Sequence, residues 1–144
     1  MTIASFSALC ADFCTLADGA PVAPVAGDDG VLSFDVDWKG VHAAVTYDPR
    51  RDNQEAVVRV ELGEVEGQAT DARSIMRSLL VSNFFPWHGD HRPVFCRDMA
   101  TGAATLMFGF PMRESTAAGL MAVFEEAVGV ALQWREDNFG AATA

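Results

Sequence analysis

The sequence predicts an α+β fold of order α-β-β-β-α-β-β-α, an antiparallel twisted sheet with helices packed on it. Three observations predict it. Apolar residues alternate with period two in the runs 32–38, 41–47, 56–62 and 104–110. Those runs follow one another through short turns, as in a meander, rather than alternating with helices as in a parallel sheet. Stripes with helical spacing of three and four residues stand before, between and after the strand runs.

The first helix carries Phe6, Leu9, Cys10, Phe13, Leu16 and Ala17 on one face. Ser5 or Thr2 fits its N-cap and Gly19 its end. Pro21, Pro24, Gly27 and Gly30 break regular structure, so residues 18–30 read as a loop. Leu32, Phe34, Val36 and Trp38 then face one way, and Ser33, Asp35 and Asp37 the other. Lys39-Gly40 is a hairpin turn. Val41, Ala43, Val45 and Tyr47 form the apolar face of the second strand, opposite His42 and Thr46. A polar turn spans Asp48 to Asn53, and Ala56, Val58, Val60 and Leu62 continue the same face. One apolar and one polar side imply a sheet covered on a single face.

Thr70 or Asp71 starts the second helix, whose stripe is Ile75, Met76, Leu79 and Leu80; Pro86 ensures that it has ended. Phe84, Phe85, Trp87, His88 and His91 lie in the connection that follows. Val94–Arg97 and Ala104–Phe110 form a second hairpin around Thr101-Gly102. Glu114 or Ser115 starts the last helix, faced by Leu120, Phe124, Ala127, Ala131 and Trp134 and widened by Met121, Val128 and Leu132. Residues 138–144 read as a frayed tail.

All 144 residues fit one domain. Half of them are hydrophobic, enough for a packed core and too many for a disordered chain. The net charge of −10, with Lys39 the only lysine, sets the chain against phosphate backbones and anionic lipid, so nucleic acid is excluded as a partner. No apolar run approaches the roughly 18–20 residues of a membrane span, so no membrane insertion is expected. The N-terminus lacks the pattern of a signal peptide, and three cysteines without framework spacing suit a reducing compartment; the expected location is the cytoplasm.

Little points to a reaction. Phosphate-binding loops, His-Glu-x-x-His, Cys-x-x-Cys and Gly-x-Ser-x-Gly are all missing. His88, His91 and Cys96 are the best metal candidates, but zinc requires converging ligands, and histidines in loops are commonly plain surface residues. Asp35 and Asp37 lie two apart on a strand face, where solvated charge is the ordinary role and an acid–base pair the rarer one. Cys10 and Cys14 share one side of a helix, where cysteines are usually inert. The reading is no enzyme, no catalytic residue, no cofactor and no metal. The Phe84–Trp87 aromatics either pack into the fold or mark a protein contact.

Several pieces together resemble the class I type III secretion chaperones (the Tir-chaperone family). They are Phe6–Leu9–Phe13–Leu16, Leu32–Phe34–Val36, Leu79-Leu80-x-x-Asn83, the strand Leu106 to Pro111 ending in Phe110-Pro111, and Trp134-Arg135. The resemblance covers roughly residues 3 to 136. It implies a bacterial cytoplasmic homodimer that binds the extended N-terminal region of a secreted effector and keeps it soluble and secretion-competent without ATP. By position, it implies a client groove of Phe6, Leu9, Phe13, Phe34 and Val36. It implies a dimer interface of Ile75, Met76, Leu79, Leu80 and Phe95. The alternative is a non-catalytic α+β interaction or regulatory module that binds a folded partner.

Overall fold

In the computed structural model, which describes residues 3–19, 22–51, 55–84, 92–113 and 115–141, the period-two runs join into one sheet. The elements are α1 (Ile3–Leu16), β1 (Val25–Ala26), β2 (Leu32–Trp38), β3 (Val41–Tyr47), β4 (Glu55–Glu64), α2 (Ala72–Ser82), β5 (Val94–Arg97), β6 (Ala103–Pro111) and α3 (Ala117–Asp137). The strand order is β1-β2-β3-β4-β6-β5, and every neighbouring pair is antiparallel.

Alternation decides which face is covered. Leu32, Phe34, Val41, Val45, Tyr47, Val58, Val60, Leu62, Leu106 and Phe108 are all buried, while Asp35, Asp37, His42 and Arg59 stand on the other face in solvent. The β2–β3 register is fixed by a two-residue turn in which Lys39 (φ 51°) and Gly40 (φ 77°) are both left-handed, the conformation that matches strand twist in a tight hairpin.

α1 and α3 cover the apolar face together. The Phe13 ring of α1 lies 5.9 Å edge-on to Phe34 of β2 and 5.2 Å from Phe124 of α3, and Phe6 stacks on Tyr47 at 5.3 Å. Such pairs add about 0.5–1.5 kcal/mol beyond their burial. At its far end α3 sits over β4. Gly63 lacks a side chain there because a Cβ would stand 2.9 Å from Cζ3 of the buried Trp134. The β4–β6 register slips between Glu61 and Gly63, and Arg135 stitches this irregularity to the β2–β3 turn. Its Nε donates to the Leu62 carbonyl (2.7 Å) and a terminal nitrogen to the Gly40 carbonyl (3.0 Å).

Four sequence expectations are revised. The loop over 18–30 contains β1, a strand of two residues that periodicity is too short to reveal. The third helix begins later, capped by Thr116, whose hydroxyl accepts from the Gly119 amide at 3.0 Å. The tail is packed at its start: Asn138 turns left-handed, Asn138–Gly140 form a 3-10 turn, and the Phe139 ring meets Phe95 edge-on at 5.4 Å. Ser78 of α2 donates to the Asn138 carbonyl at 3.1 Å. Finally, α3 is long and apolar enough by composition alone to cross a bilayer. In this fold its Leu120, Phe124, Ala131 and Trp134 face is buried, and Glu125 and Glu126 are exposed. Thr2, Asp52, Asn53, Phe85, Pro86, Trp87, His88, His91, Glu114 and residues 142–144 lie outside the described residues.

Gly63→Ala is expected to destabilise the protein by about 1–3 kcal/mol through the clash with the Trp134 ring and the positive φ, measured by urea unfolding. An unchanged midpoint would show that the α3–β4 contact yields freely.

Candidate functional site

The sheet has two edges, and the sequence treats them oppositely. At the β5 edge, Asn83 ends α2 with its amide against the strand. Its Oδ1 accepts from the Phe95 amide (2.7 Å) and its Nδ2 donates to the Phe95 carbonyl (3.0 Å). The Asp98 amide bonds back to Ala103 of the neighbouring chain segment, so Phe95, an odd step away, turns its backbone outward. Asn83 therefore stands in for the residue of a further strand. Pro93, next along the same outward set, has no N–H to offer.

At the opposite edge the pairing among the described residues is short. β1 pairs with β2 only at Val25↔Ser33 and Ala26↔Leu32, and the Gly27 amide donates to the Val31 carbonyl at 2.9 Å. Residues 31 and 33 of that strand thus face β1, and by alternation Asp35 and Asp37 turn their N–H and C=O the same way. Among the described residues no strand covers them.

Apolar side chains are exposed near both margins. Leu16, Val22 and Val25 (68% exposed) follow the chain from the end of α1 into β1. Leu80 (61%), Val81, Phe84 (89%) and Val94 gather where α2 ends beside β5, held together by the Asn83–Phe95 bonds. Exposed apolar side chains near a sheet margin are the candidate contact surface here.

The residues singled out from the sequence are placed as follows. Phe6, Leu9, Phe13 and Phe34 are buried in the core, and Val36 is half-buried against it. In the free chain these side chains support a surface and do not themselves form an open groove; α3 closes over them through the Phe13–Phe124 contact. Ile75, Leu79 and Phe95 are also buried within the protomer, Met76 is half-buried, and only Leu80 faces out. The reason is angular. Ile75 and Leu79 lie four apart on the side of α2 that meets the sheet, and Leu80 is about 100° further round. Sequence periodicity finds the stripe but not which neighbour covers it. Asn83 was singled out as part of a motif, and its pairing with Phe95 gives the reason for an amide there, which both donates and accepts.

For chemistry the structure offers little. Burial, with the neighbouring Cys14 adding, pushes the Cys10 thiol up to about 12, far from a reactive thiolate. His42 lies on the solvent face with Nδ1 3.2 Å from Asp37 and Nε2 3.7 Å from Asp35, all three side chains well exposed. Among the described residues no group of three His, Cys, Asp or Glu side chains is arranged to hold a metal ion. His88 and His91 lie outside those residues.

A model of the Tir chaperone protein (CesT) family matches residues 23–135. The chain belongs to that family. This Tir-chaperone relative is similar in fold to the solved ExsC–ExsE complex, with TM-score 0.69 and 18% identity over 93% of this chain and 93% of that chain. It is also similar to the HopA1–SchA chaperone–effector complex (TM-score 0.59, 16% identity, 93% of this chain and 95% of that one). A third is the Yersinia pestis type III secretion chaperone SycH in complex with a stable fragment of YscM2 (TM-score 0.57, 19% identity, 89% and 98%). At these identities the likeness is one of fold. Among curated proteins no sequence matches this chain.

Asn83→Ala is expected to cost about 1–3 kcal/mol, from two lost bonds, and to speed hydrogen exchange at the Phe95 amide; unchanged exchange there would show the edge closed by something else. Cys10 is expected to resist alkylation near pH 8 in the folded protein and to react once unfolded. Its raised value favours the fold while the unfolded thiol is protonated, below about 9, and that contribution is lost as pH rises toward 12. Rapid native alkylation of Cys10 would show that it is not buried.

Proposed function

We propose that this chain is a type III secretion chaperone that holds the extended N-terminal region of a secreted effector and keeps it soluble and secretion-competent without ATP or catalysis. The observation that carries the reading is membership of the Tir-chaperone family over residues 23–135, in a fold where no described strand pairs with β2 beyond Ser33 on its outer side. An extended client gains main-chain bonds at Asp35 and Asp37 and seats apolar side chains against Leu16, Val22 and Val25. These gains offset the entropy of ordering a flexible segment. A net charge of −10 keeps the complex soluble and favours basic clients.

The active form in this reading is a cytoplasmic homodimer. Its seam is the outward patch of Leu80, Val81, Phe84 and Val94, with Ile75, Met76, Leu79 and Phe95 supporting that patch from within the protomer. The apolar content of the patch, rimmed by the polar Arg77 and Arg92, is that of an interface core with a polar border.

Affinity capture from the native host, followed by mass spectrometry and light scattering, tests the reading. One dominant secreted protein is expected, protected from protease at its N-terminal region and bound at two chaperone chains per client. Capture of a folded partner instead would favour a regulatory module. Leu80→Asp combined with Val94→Asp is expected to shift the free protein from dimer to monomer in light scattering while circular dichroism stays unchanged. A dimer that survives both charges would place the seam elsewhere.

A further inference from the structure

The residues that follow α3 form an unusual turn. A helix end needs one left-handed residue, and glycine is the usual choice. Here three occur in succession: Asn138 (φ 51°), Phe139 (φ 56°) and Gly140 (φ 76°). Asparagine and glycine enter that region readily, but in a bulky residue such as phenylalanine the Cβ crowds the backbone oxygen. A backbone of this kind persists only where its surroundings over-determine it, and such positions are often functional.

The contacts around Phe139 supply that constraint. Its amide donates to Asp137 Oδ1 at 3.0 Å. The buried Asn138 side chain donates to the Trp134 carbonyl at 3.2 Å and ties the turn back to α3. The Ser78 hydroxyl of α2 faces two carbonyls of the turn, Asn138 at 3.1 Å and Phe139 at 3.4 Å. The half-buried Phe139 ring stands edge-on to Phe95 of β5, with centroids 5.4 Å apart. α2 therefore rests both on β5 and on the turn.

Phe95 is held from two directions: Asn83 takes its backbone N–H and C=O, and Phe139 takes its ring. On α2, Ser78 and Leu80 are two residues apart, about 200° round the helix, so the bond at Ser78 fixes the side away from the exposed Leu80. The turn thus sets how α2 is rotated against β5, and with it where Leu80 and Val94 stand.

We propose that the left-handed turn Asn138–Gly140 is a latch that positions the α2–β5 margin for pairing with a second copy of this chain, with Phe139 as its positioning residue. The latch rests on the seam of Leu80, Val81, Phe84 and Val94 and adds to it a residue outside the seam that governs it. The backbone cost at Phe139 is offset by contacts with α2 and β5, so the turn and the margin become ordered together.

Phe139→Gly tests the latch, because glycine adopts the left-handed conformation without steric cost and loses only the ring. In the full-length variant the dimer dissociation constant, from a light-scattering dilution series, is expected to rise about tenfold. Hydrogen exchange at the Phe95 amide is expected to speed, with exchange in β3 changing far less. Phe139→Tyr, which keeps the ring, is expected to dimerise as the wild type does. Ser78→Ala, which removes the hydroxyl from the turn, is expected to shift both readouts in the same direction as Phe139→Gly, and it carries the test if the glycine variant does not fold. A turn that merely caps α3 would leave the dimer constant and the Phe95 exchange unmoved in Phe139→Gly, and that result overturns the latch. An equal loss in Phe139→Tyr overturns it as well. Leu80→Asp with Val94→Asp separates the latch from the seam. A dimer broken by those charges but untouched by Phe139→Gly sinks the latch alone. A dimer that survives the charges, or a wild type that is monomeric throughout the dilution series, sinks the seam reading and the latch with it.

Discussion

The position of Phe13 governs much of what this protein can offer a partner. Its ring touches Phe34 below and Phe124 beside it, so α1, α3 and the sheet share one apolar layer. With both long helices on that side, no described helix covers the opposite face, and the strands there present Asp35, His42 and Arg59 to water. A sheet shielded on one side only has three surfaces left for recognition: its bare face and its two ends.

Those surfaces are unequally equipped. The β5 end carries exposed aliphatic and aromatic side chains but has its outward backbone at Phe95 occupied by Asn83. The β2 end, among the described residues, carries outward backbone at two aspartates that no strand pairs. One end is suited to side-chain packing between folded surfaces and the other to main-chain pairing with an extended segment. In the proposed reading, one end meets a second copy and the other the client.

Much of the architecture was legible in the sequence because the strands obey strict alternation around a single covered face. Leu32 through Leu62 could be assigned inward positions from period two alone, and the α2 stripe from its spacing of three and four. What escaped was short or relational. β1 has only two residues, too few for a period to show, and Asn138–Gly140 are ordered by contacts with Ser78 and Phe95 that lie far away in the chain. The candidate client groove had the same limitation. Phe6, Leu9, Phe13 and Phe34 carry the hydrophobicity that either a core or a groove requires, and only the placement of α3 over them decides for core. Val22 and Val25 gave no periodic signal because they lie at a break between elements, and Leu16, on the apolar stripe by spacing, is exposed because α1 ends there.

The asymmetry at Asn83 also bears on what this protein avoids. A sheet with two receptive ends behaves as a bifunctional monomer: each copy can accept one neighbour and offer itself to another, and growth has no natural stop. By satisfying both polar groups of Phe95 within the chain, a single amide makes that end a poorer template for main-chain pairing. A protein whose work is to receive exposed, aggregation-prone segments can do so repeatedly without itself becoming the seed of a fibre.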